Sequence, residues 1–344
     1  MTARTARPLL PSPPKPEAGR RPTRLLAALA LAATLGGTAC TSPALQPDPI
    51  DAEVLAEEES LLSLLRLHKL MQELEAAPPD VNATFTVLNT LERLMPSWET
   101  HQRTLSEEPL EGVLMRTVVA HFDGLVEQLR HGAHERRVVA AWAMGFSRVP
   151  ERELVIDGEV IVIASRHEEA VEELVALLDD ASDDILRNAM VALWKLAEPS
   201  TPVAPLCDVV VNHHDGLVRA NATLALGAIL RPETASAAQD ATLVALSDSE
   251  PKVRLHAASI ARRFSTPAYT RRIEQIIPDE EMARIRANMA AALGAARSRT
   301  SAPVLVPLLD SPRVIESTMA HQALVTIFGD DLGDDSEDWE GVLP

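Results

Sequence analysis

Aromatic residues are scarce in this chain: Phe, Trp and Tyr make up 3% of its 344 residues. β-Sandwiches and barrels are built from strands rich in aromatic and β-branched residues, so this composition disfavours both. Alanine and leucine are abundant instead, and both residues favour helices that pack closely. The composition therefore predicts an all-α fold.

Cysteine is almost absent, since only Cys40 and Cys207 occur. Two cysteines cannot build the disulfide framework that small secreted domains use. Cys207 stands among Leu206, Val209 and Val210 with no basic neighbour in sequence that would lower its pKa. It is therefore predicted to be a small buried apolar residue and not a reactive thiol.

Motifs that carry known chemistry are missing as well. The sequence has no nucleophile elbow, no glycine-rich phosphate loop and no CxxC pair. It predicts no catalytic residue, no cofactor and no metal, and hence a protein that is not an enzyme.

Acids outnumber bases, with 50 Asp+Glu against 32 Lys+Arg and a formal charge of −18. Residues 1–39 hold six bases and one acid, so the chain after them carries −23. Such a surface repels phosphate backbones, which excludes nucleic acid as the expected partner. It suits an unidentified protein partner that is basic or neutral.

The first 39 residues have the pattern of a signal peptide. Six bases against one acid precede the uncharged apolar run Leu25–Leu35, and small residues follow it. That run is about half of the ~20 residues that a membrane-spanning helix needs, and no later segment is long enough either.

Residues 37–39 (GTA) before Cys40 resemble the bacterial lipobox. The resemblance implies a diacylglycerol on the Cys40 thiol, cleavage before it, and acylation of the new amino terminus with a chain such as palmitate. Several acyl chains satisfy the need for more than one anchor. Thr41, in place of Asp, resembles the pattern of outer-membrane lipoproteins that face the periplasm. An ordinary secretory signal with a chance cysteine is the alternative.

Prolines divide the next hundred residues. Pro43, Pro47 and Pro49 indicate an extended lipid-anchored tether over residues 40–51. Residues 52–115 are predicted to form an N-terminal helical region. In it, Pro78-Pro79 end one helix, Asp80 caps a second helix that runs to Met95, and Pro96 ends that helix.

Residues 116–328 repeat a pattern of Val-Arg followed by small residues at fixed steps, best seen in Val218–Gly227 and Ile285–Gly294. The position that this arginine occupies falls at residues 137, 186, 219, 254, 286 and 317, separated by 49, 33, 35, 32 and 31 residues; Leu186 stands there with Arg187 one step later, and Ser317 marks a degenerate last copy. A period in the thirties indicates one supersecondary unit per repeat, stacked as a solenoid. Acids are predicted in the turn before each second helix, at Asp179, Asp215, Asp248, Asp279 and Asp310.

This pattern resembles the HEAT-repeat superfamily in its bacterial phycobilisome-lyase-like form. The resemblance implies an α-solenoid of HEAT-like helical hairpins whose second helices line the concave side. That side makes five arginines candidates for a binding surface: Arg137, Arg187, Arg219, Arg254 and Arg286. The alternative is a structural ladder, in which each arginine pairs with an acid of its own or the adjacent turn.

The 49-residue step contains Asp157-Gly158 between two β-branched runs. Such a pattern predicts a β-hairpin, inserted at about residues 153–164. It either covers the helix ends as a lid or offers a strand edge to a partner, in which case Ile161 and Ile163 belong to the binding surface.

Histidines beside acids are the remaining candidates for chemistry. His134-Glu135 and His167-Glu168 resemble the ligand pairs of deoxyhypusine hydroxylases, which are HEAT-repeat di-iron enzymes, but four pairs are needed there. We interpret both pairs, and His213-His214-Asp215, as turn residues that face solvent.

Residues 329–344 form an acidic tail with seven acids around Trp339. It is predicted to be a solvated end that caps the array, with a docking peptide as the alternative. Together the patterns predict a lipid-anchored envelope protein that uses its solenoid as an interaction scaffold. The alternatives are a repeat-fold enzyme or metal protein, lyase-like or with a His-Glu site, and a passive envelope spacer.

Overall fold

The computed structural model describes residues 66–77, 81–101, 108–150, 152–156, 159–179 and 182–343. All of them belong to one compact unit that spans residues 59–344. The predicted signal peptide, Cys40 and the predicted tether lie outside the described residues, so lipidation stays a prediction.

Helices make up nearly all of the described structure. Their bounds are residues 66–75 (α1), Val81–His101 (α2), Glu108–Ala120 (α3), Phe122–His131 (α4), His134–Met144 (α5), His167–Val175 (α6), Asp183–Leu196 (α7), Val203–Asn212 (α8), Gly216–Ile229 (α9), Gln239–Ala245 (α10), Pro251–Arg263 (α11), Pro267–Ile276 (α12), Ala283–Ala296 (α13), Ala302–Leu305 (α14) and Val314–Phe328 (α15). Short 3₁₀ turns lie at Ala235–Ala238, Ile277–Asp279, Arg299–Ser301, Val306–Leu308 and Ser336–Val342.

From α4 onward the helices form consecutive antiparallel pairs. The second helices α5, α7, α9, α11, α13 and α15 each pack on the next second helix, and each also packs on the first helix of its own pair. Their buried residues recur three or four positions apart and are mostly small, as with Ala189, Ala192 and Leu193 of α7. Close-packed layers follow from this spacing. The prediction of an all-α solenoid with HEAT-like helical pairs is confirmed.

One continuous apolar core runs along the array from Leu67 to Trp339. Helices α13 and α15 approach closely, since a Cβ added to Gly294 would lie 2.8 Å from the Ala323 Cα. A side chain at position 294 would push these two helices apart.

The expected helix end at Met95 is wrong, because α2 continues through Pro96 to His101. Proline in a helix interior removes a backbone hydrogen bond and is costly. Residues beyond it compensate: Trp98 is buried on the same face as Leu91 and Leu94, and its ring meets Phe146 edge-on with centroids 5.2 Å apart. If α2 ended at Met95, the contact between Trp98 and Phe146 would be lost.

Strands β1 (Arg152–Ile156) and β2 (Glu159–Ile163) pair in antiparallel register, with Leu154 opposite Ile161. They form a two-stranded sheet between α5 and α6.

The acidic tail folds back on the last helix instead of remaining solvated along its length. Trp339 is fully buried, donates its Nε1–H to the Gly333 carbonyl at 2.8 Å, and lies 5.9 Å from the Phe328 ring. Its burial covers the apolar end of the array, so this part of the chain acts as a cap.

Candidate functional site

An arginine near the start of four second helices (α7, α9, α11 and α13) joins two successive helical pairs. Arg219 donates Nε–H and Nη2–H to the carboxylate of Asp248 at 2.8 and 2.7 Å. Its Nη1 donates to the carbonyls of His213 and His214 at 2.9 and 3.0 Å, in its own pair. One guanidinium therefore forms hydrogen bonds to the turn of its own helical pair and to the turn of the next pair.

The same arrangement recurs along the array, and we call it the arginine ladder. Its ion pairs are Arg187–Asp215, Arg219–Asp248, Arg254–Glu280 and Arg286–Glu316. Asp215 and Asp248 are acids that the sequence pattern predicted. The last two pairs use Glu280 and Glu316 in place of Asp279 and Asp310.

Each ladder acid is also held by its own turn, which explains the choice of partner. Glu280 accepts from the Met282 amide at 3.0 Å, and Glu316 accepts from the Ser311 hydroxyl at 2.6 Å. Both side chains are nearly inaccessible, at 3% and 1% exposed. A buried carboxylate needs such a set of donors.

The ladder changes the acidity of its carboxyl groups. The hydrogen bond from Arg187, helped by the Val218 amide, lowers the pKa of Asp215 to about 2. Burial is the strongest single influence on the pKa of Asp248 and of Glu280 and would raise both. The hydrogen bonds from Arg219 and Arg254, together with the backbone amides of Glu250 and Met282 and the arginine charges, outweigh it and hold both pKa values below their usual range.

Arg137 differs from the other candidates, since its Nε donates to the Leu129 carbonyl at 3.0 Å within its own helical pair. Ile161 and Ile163 lie in β2, paired with Leu154 and Arg152. The ladder accounts for four of the five predicted arginines as structural groups. A role for these seven residues in binding a partner stays a prediction.

A groove follows the exposed face of the second helices, and we call it the second-helix groove. Two adjoining cavities form it, of about 300 and 400 Å³, and His256 and Ser259 of α11 border both. The floor consists of small residues: Gly227, Ala228, Ala287 and Ala291.

Apolar side chains stand at the two ends of this groove. Trp194 of α7 lies at one end and is 38% exposed, and Ile315 of α15 lies at the other and is 49% exposed. These side chains offer apolar contact area at both ends of the groove.

The groove is basic, unlike the chain as a whole. Arg262, Arg263 and Arg284 line it, and no acid does so among the described residues. Burial lowers the pKa of His256, and the nearby charges of Lys252 and Arg284 lower it further. Sequence reasoning missed this feature, although a signal was available: α9, α11 and α13 contain no Asp or Glu.

Three aromatic rings cluster beyond Trp194. Phe146 contacts Trp98 and Trp142 edge-on, and the Lys195 ammonium lies 4.6 Å from the Phe146 ring centre while it pairs with Glu111. The space left between these side chains is about 100 Å³. The protein's own lysine already takes the cation position in this cage.

The histidines of the two His-Glu pairs face two different acids. His134 Nε2 is 3.7 Å from Asp184, and His167 Nε2 is 3.2 Å from Glu198. The resemblance to di-iron ligand pairs does not extend to a shared centre formed by these residues.

A different group has ligand atoms close enough for a metal: Asp183, His213 and His214, whose nitrogen and oxygen atoms lie within 4.8 Å of one another. His213 Nδ1 accepts the Asp215 amide at 3.2 Å, so the neutral ring carries its proton on Nε2, the atom that faces Asp183 at 3.7 Å. A metal would need that nitrogen unprotonated. The geometry suits a histidine–carboxylate contact better than a metal centre.

Cys207 is half-buried, and its Sγ lies 3.9 Å from the Ala237 carbonyl. Burial raises the pKa of this thiol, which opposes reactivity.

None of the helices in the described part of the chain combines the length and apolarity that crossing a bilayer demands. No family model and no curated protein matches the sequence. Solved structures of helical proteins do match. Human deoxyhypusine hydroxylase in complex with glycerol is 16% identical over 79% of this chain and 99% of that chain, with a TM-score of 0.33.

Kap121p is 13% identical over 81% of this chain and 39% of that chain, with a TM-score of 0.43. The complex of CpcE and CpcF of phycocyanin lyase from Nostoc sp. is 16% identical over 74% of this chain and 92% of that chain, with a TM-score of 0.33. At such values these similarities assign neither an activity nor a partner to this chain.

Proposed function

We propose that this protein is a scaffold that binds another protein through its array of second helices. The second-helix groove is the observation that carries this proposal. It joins small floor residues, apolar ends and exposed cations on one face of a packed array. A rigid repeat surface of this kind suits the recognition of a partner segment.

Exposed apolar residues where the second helices begin add to this support. Leu217, Met282 and Val314 are all exposed, the last at 78%. These side chains lie at the edge of the array that also carries the arginine ladder, and they extend the surface available to a partner.

We further propose that the scaffold works without catalysis of its own. In the residues described, the Asp183–His213–His214 group is the set with metal-like spacing, and one ring nitrogen of His213 is already occupied by the Asp215 amide. Metal analysis of the purified protein tests this part, since stoichiometric zinc or iron would favour the repeat-fold enzyme instead.

Cys40 is proposed as the lipid attachment site, which would hold the scaffold at a bacterial outer membrane facing the periplasm. The support is the lipobox-like sequence after a basic, then apolar, leader. Anchoring would raise the local concentration of the scaffold beside an envelope partner. Fractionation of a Cys40→Ser variant tests it: we expect release from the membrane, and unchanged membrane association would contradict the anchor.

The hairpin is proposed as a second contact region. Its two strands pair only with each other among the described elements, and a strand edge can accept a strand from another chain. Ile161→Asp with Ile163→Asp should then weaken partner recovery. Unchanged recovery would favour a lid.

Crosslinking in cells followed by mass spectrometry tests the scaffold itself. A photoreactive residue at Ser259 samples the groove, and one at exposed Gln275 of α12 samples the first-helix layer. Reproducible capture of the same protein supports a scaffold. Absence of any specific capture at both positions would favour a passive spacer.

A further inference from the structure

The sign of the charge in the second-helix groove is opposite to that of the whole chain. The chain carries a formal charge of −18, yet the three helices α9, α11 and α13 hold seven Lys and Arg residues and no acid. Arg219, Arg254 and Arg286 are neutralised by the ladder. The remaining cations decide what the groove can bind.

We propose that the second-helix groove binds an acidic peptide segment of a partner protein, with apolar side chains interspersed among its acids. This inference deepens the proposed scaffold function and rests on it. The recognition elements are Arg262 and Arg284 in the groove, Lys252 beside it, and the apolar ends of the groove.

Among the residues that the structure describes, no carboxylate pairs with these cations. The side chains of Lys252, Arg262 and Arg284 are exposed, and within the described ranges no ion pair or hydrogen bond engages them. Arg263 is partly engaged, since its Nη1 donates to the Gly227 carbonyl at 3.0 Å. Uncompensated guanidinium groups on a shared face favour carboxylates, which they bind with charge-assisted hydrogen bonds.

His256 lies near Lys252 and Arg284, and its pKa responds to their charges. Lys252 and Arg284 lower its pKa in addition to the effect of burial, and no acid counteracts them. Lys252 stands one turn before His256 on α11, and Arg284 reaches it from α13. The groove therefore has a local positive field to which neighbouring helices contribute.

The distance from a bound segment to each charge explains why the charges of the groove affect that segment more than the net charge of the chain does. The Debye length is about 8 Å at physiological ionic strength, so acids on other faces of the array are screened from a bound segment. The net charge predicts a basic or neutral partner at long range, whereas the groove residues select the segment that makes contact.

The shape of the groove favours a peptide over a nucleic acid. Its floor of Gly227, Ala228, Ala287 and Ala291 accepts close approach of a main chain or small side chains. Asn288 is held to the Leu255 carbonyl at 3.0 Å and to Ser259 at 2.8 Å, which keeps the floor fixed. Trp194 and Ile315 offer apolar contacts at the ends, where phosphate groups would gain nothing.

The test measures fluorescence anisotropy of a labelled peptide made of glutamate and leucine against the purified protein. Two comparison probes are a peptide with Gln in place of each Glu and a single-stranded oligonucleotide of similar length. We expect the acidic peptide to bind, the Gln peptide to bind at least about tenfold more weakly, and the affinity to fall with salt.

The variant Arg262→Glu with Arg284→Glu reverses two exposed charges that no described contact needs. We expect it to weaken the acidic peptide at least about tenfold. The matched control is Lys69→Glu with Arg271→Glu, which changes the net charge equally at exposed positions of α1 and α12, outside the groove. Circular dichroism should show both variants folded.

Three outcomes would overturn the proposal: no binding of the acidic peptide, equal weakening in both variants, or oligonucleotide binding as tight as the peptide. The scaffold proposal is judged separately by crosslinking from Ser259 and Gln275. Partner capture from Gln275 combined with failed peptide binding would refute the acidic segment and leave the scaffold standing.

Discussion

Arg254 and Glu280 belong to successive helical pairs, and the guanidinium of Arg254 donates to both carboxylate oxygens of Glu280 at 2.6 and 3.0 Å. The same guanidinium donates to the Asp248 carbonyl at 2.7 Å in its own pair. Asp248 in turn accepts from Arg219 of the pair before. The ladder is therefore one connected polar network along the array.

Replacing Arg254 with alanine should destabilise the protein by about 3 kcal/mol, because the buried Glu280 carboxylate is left without its cation. Glu280 is 3% exposed with Arg254 in place, so its carboxylate depends on protein donors and not on bulk water. Urea unfolding followed by circular dichroism measures the change.

The double variant Arg254→Met with Glu280→Leu provides the comparison. It removes both charges and should cost less than the single Arg254→Ala change, because no buried carboxylate is stranded. A double variant as unstable as the single one would contradict the network's electrostatic role.

The pKa of Asp215 makes stability depend on pH. Its folded-state pKa is about 2, below the 3.8 of the free group, so the charged form is favoured by folding. The stability it contributes is fully present above about pH 4 and is lost as pH falls towards 2. Asp215→Asn should flatten this part of the curve of unfolding free energy against pH, and a curve unchanged in shape would refute the assignment.

Gly294 sets the spacing of the last two second helices. A Cβ there would lie 2.8 Å from the Ala323 Cα and 2.9 Å from its Cβ. Gly294→Ala should therefore cost about 1–3 kcal/mol through overpacking. Gly341→Ala is the control, since nothing lies within 4 Å of the added carbon. Thermal unfolding of the two variants should differ, and equal melting temperatures would contradict the close contact.

Trp98 explains why α2 passes Pro96. Trp98→Ala removes a buried ring that packs on Phe146 and should cost about 3–5 kcal/mol. Trp194→Ala, at a ring that is 38% exposed, should cost within about 1 kcal/mol. Chemical denaturation of both variants compares them, and similar losses would show that the burial of Trp98 does not hold the end of α2.

Metal binding at the histidine cluster offers another check. Because His213 Nδ1 accepts the Asp215 amide, we expect the purified protein to retain no stoichiometric zinc. Elemental analysis after dialysis against zinc measures this. Zinc retained by the native protein and lost in His213→Ala would contradict the proton assignment.

Local patterns in the sequence were enough to predict the helical pairs, because the spacing of small residues and the period in the thirties depend on neighbours along one helix. Asp215 and Asp248 were predicted as turn acids for the same reason, since each lies beside the start of a second helix. The end of α2 was predicted wrongly because the contact that extends it, between Trp98 and Phe146, joins distant positions.

The tertiary structure alone decided how successive units are joined. Glu280 and Glu316 replace Asp279 and Asp310 in the ladder because the packing of adjacent pairs brings their longer side chains within reach of Arg254 and Arg286. The basic groove arises in the same way, from Arg262, Arg263 and Arg284 on two helices. Helix formation depends on neighbouring residues, so it can be predicted from the sequence. Ion pairs between residues about thirty positions apart depend on how successive helical pairs stack, and the periodicity does not specify that stacking.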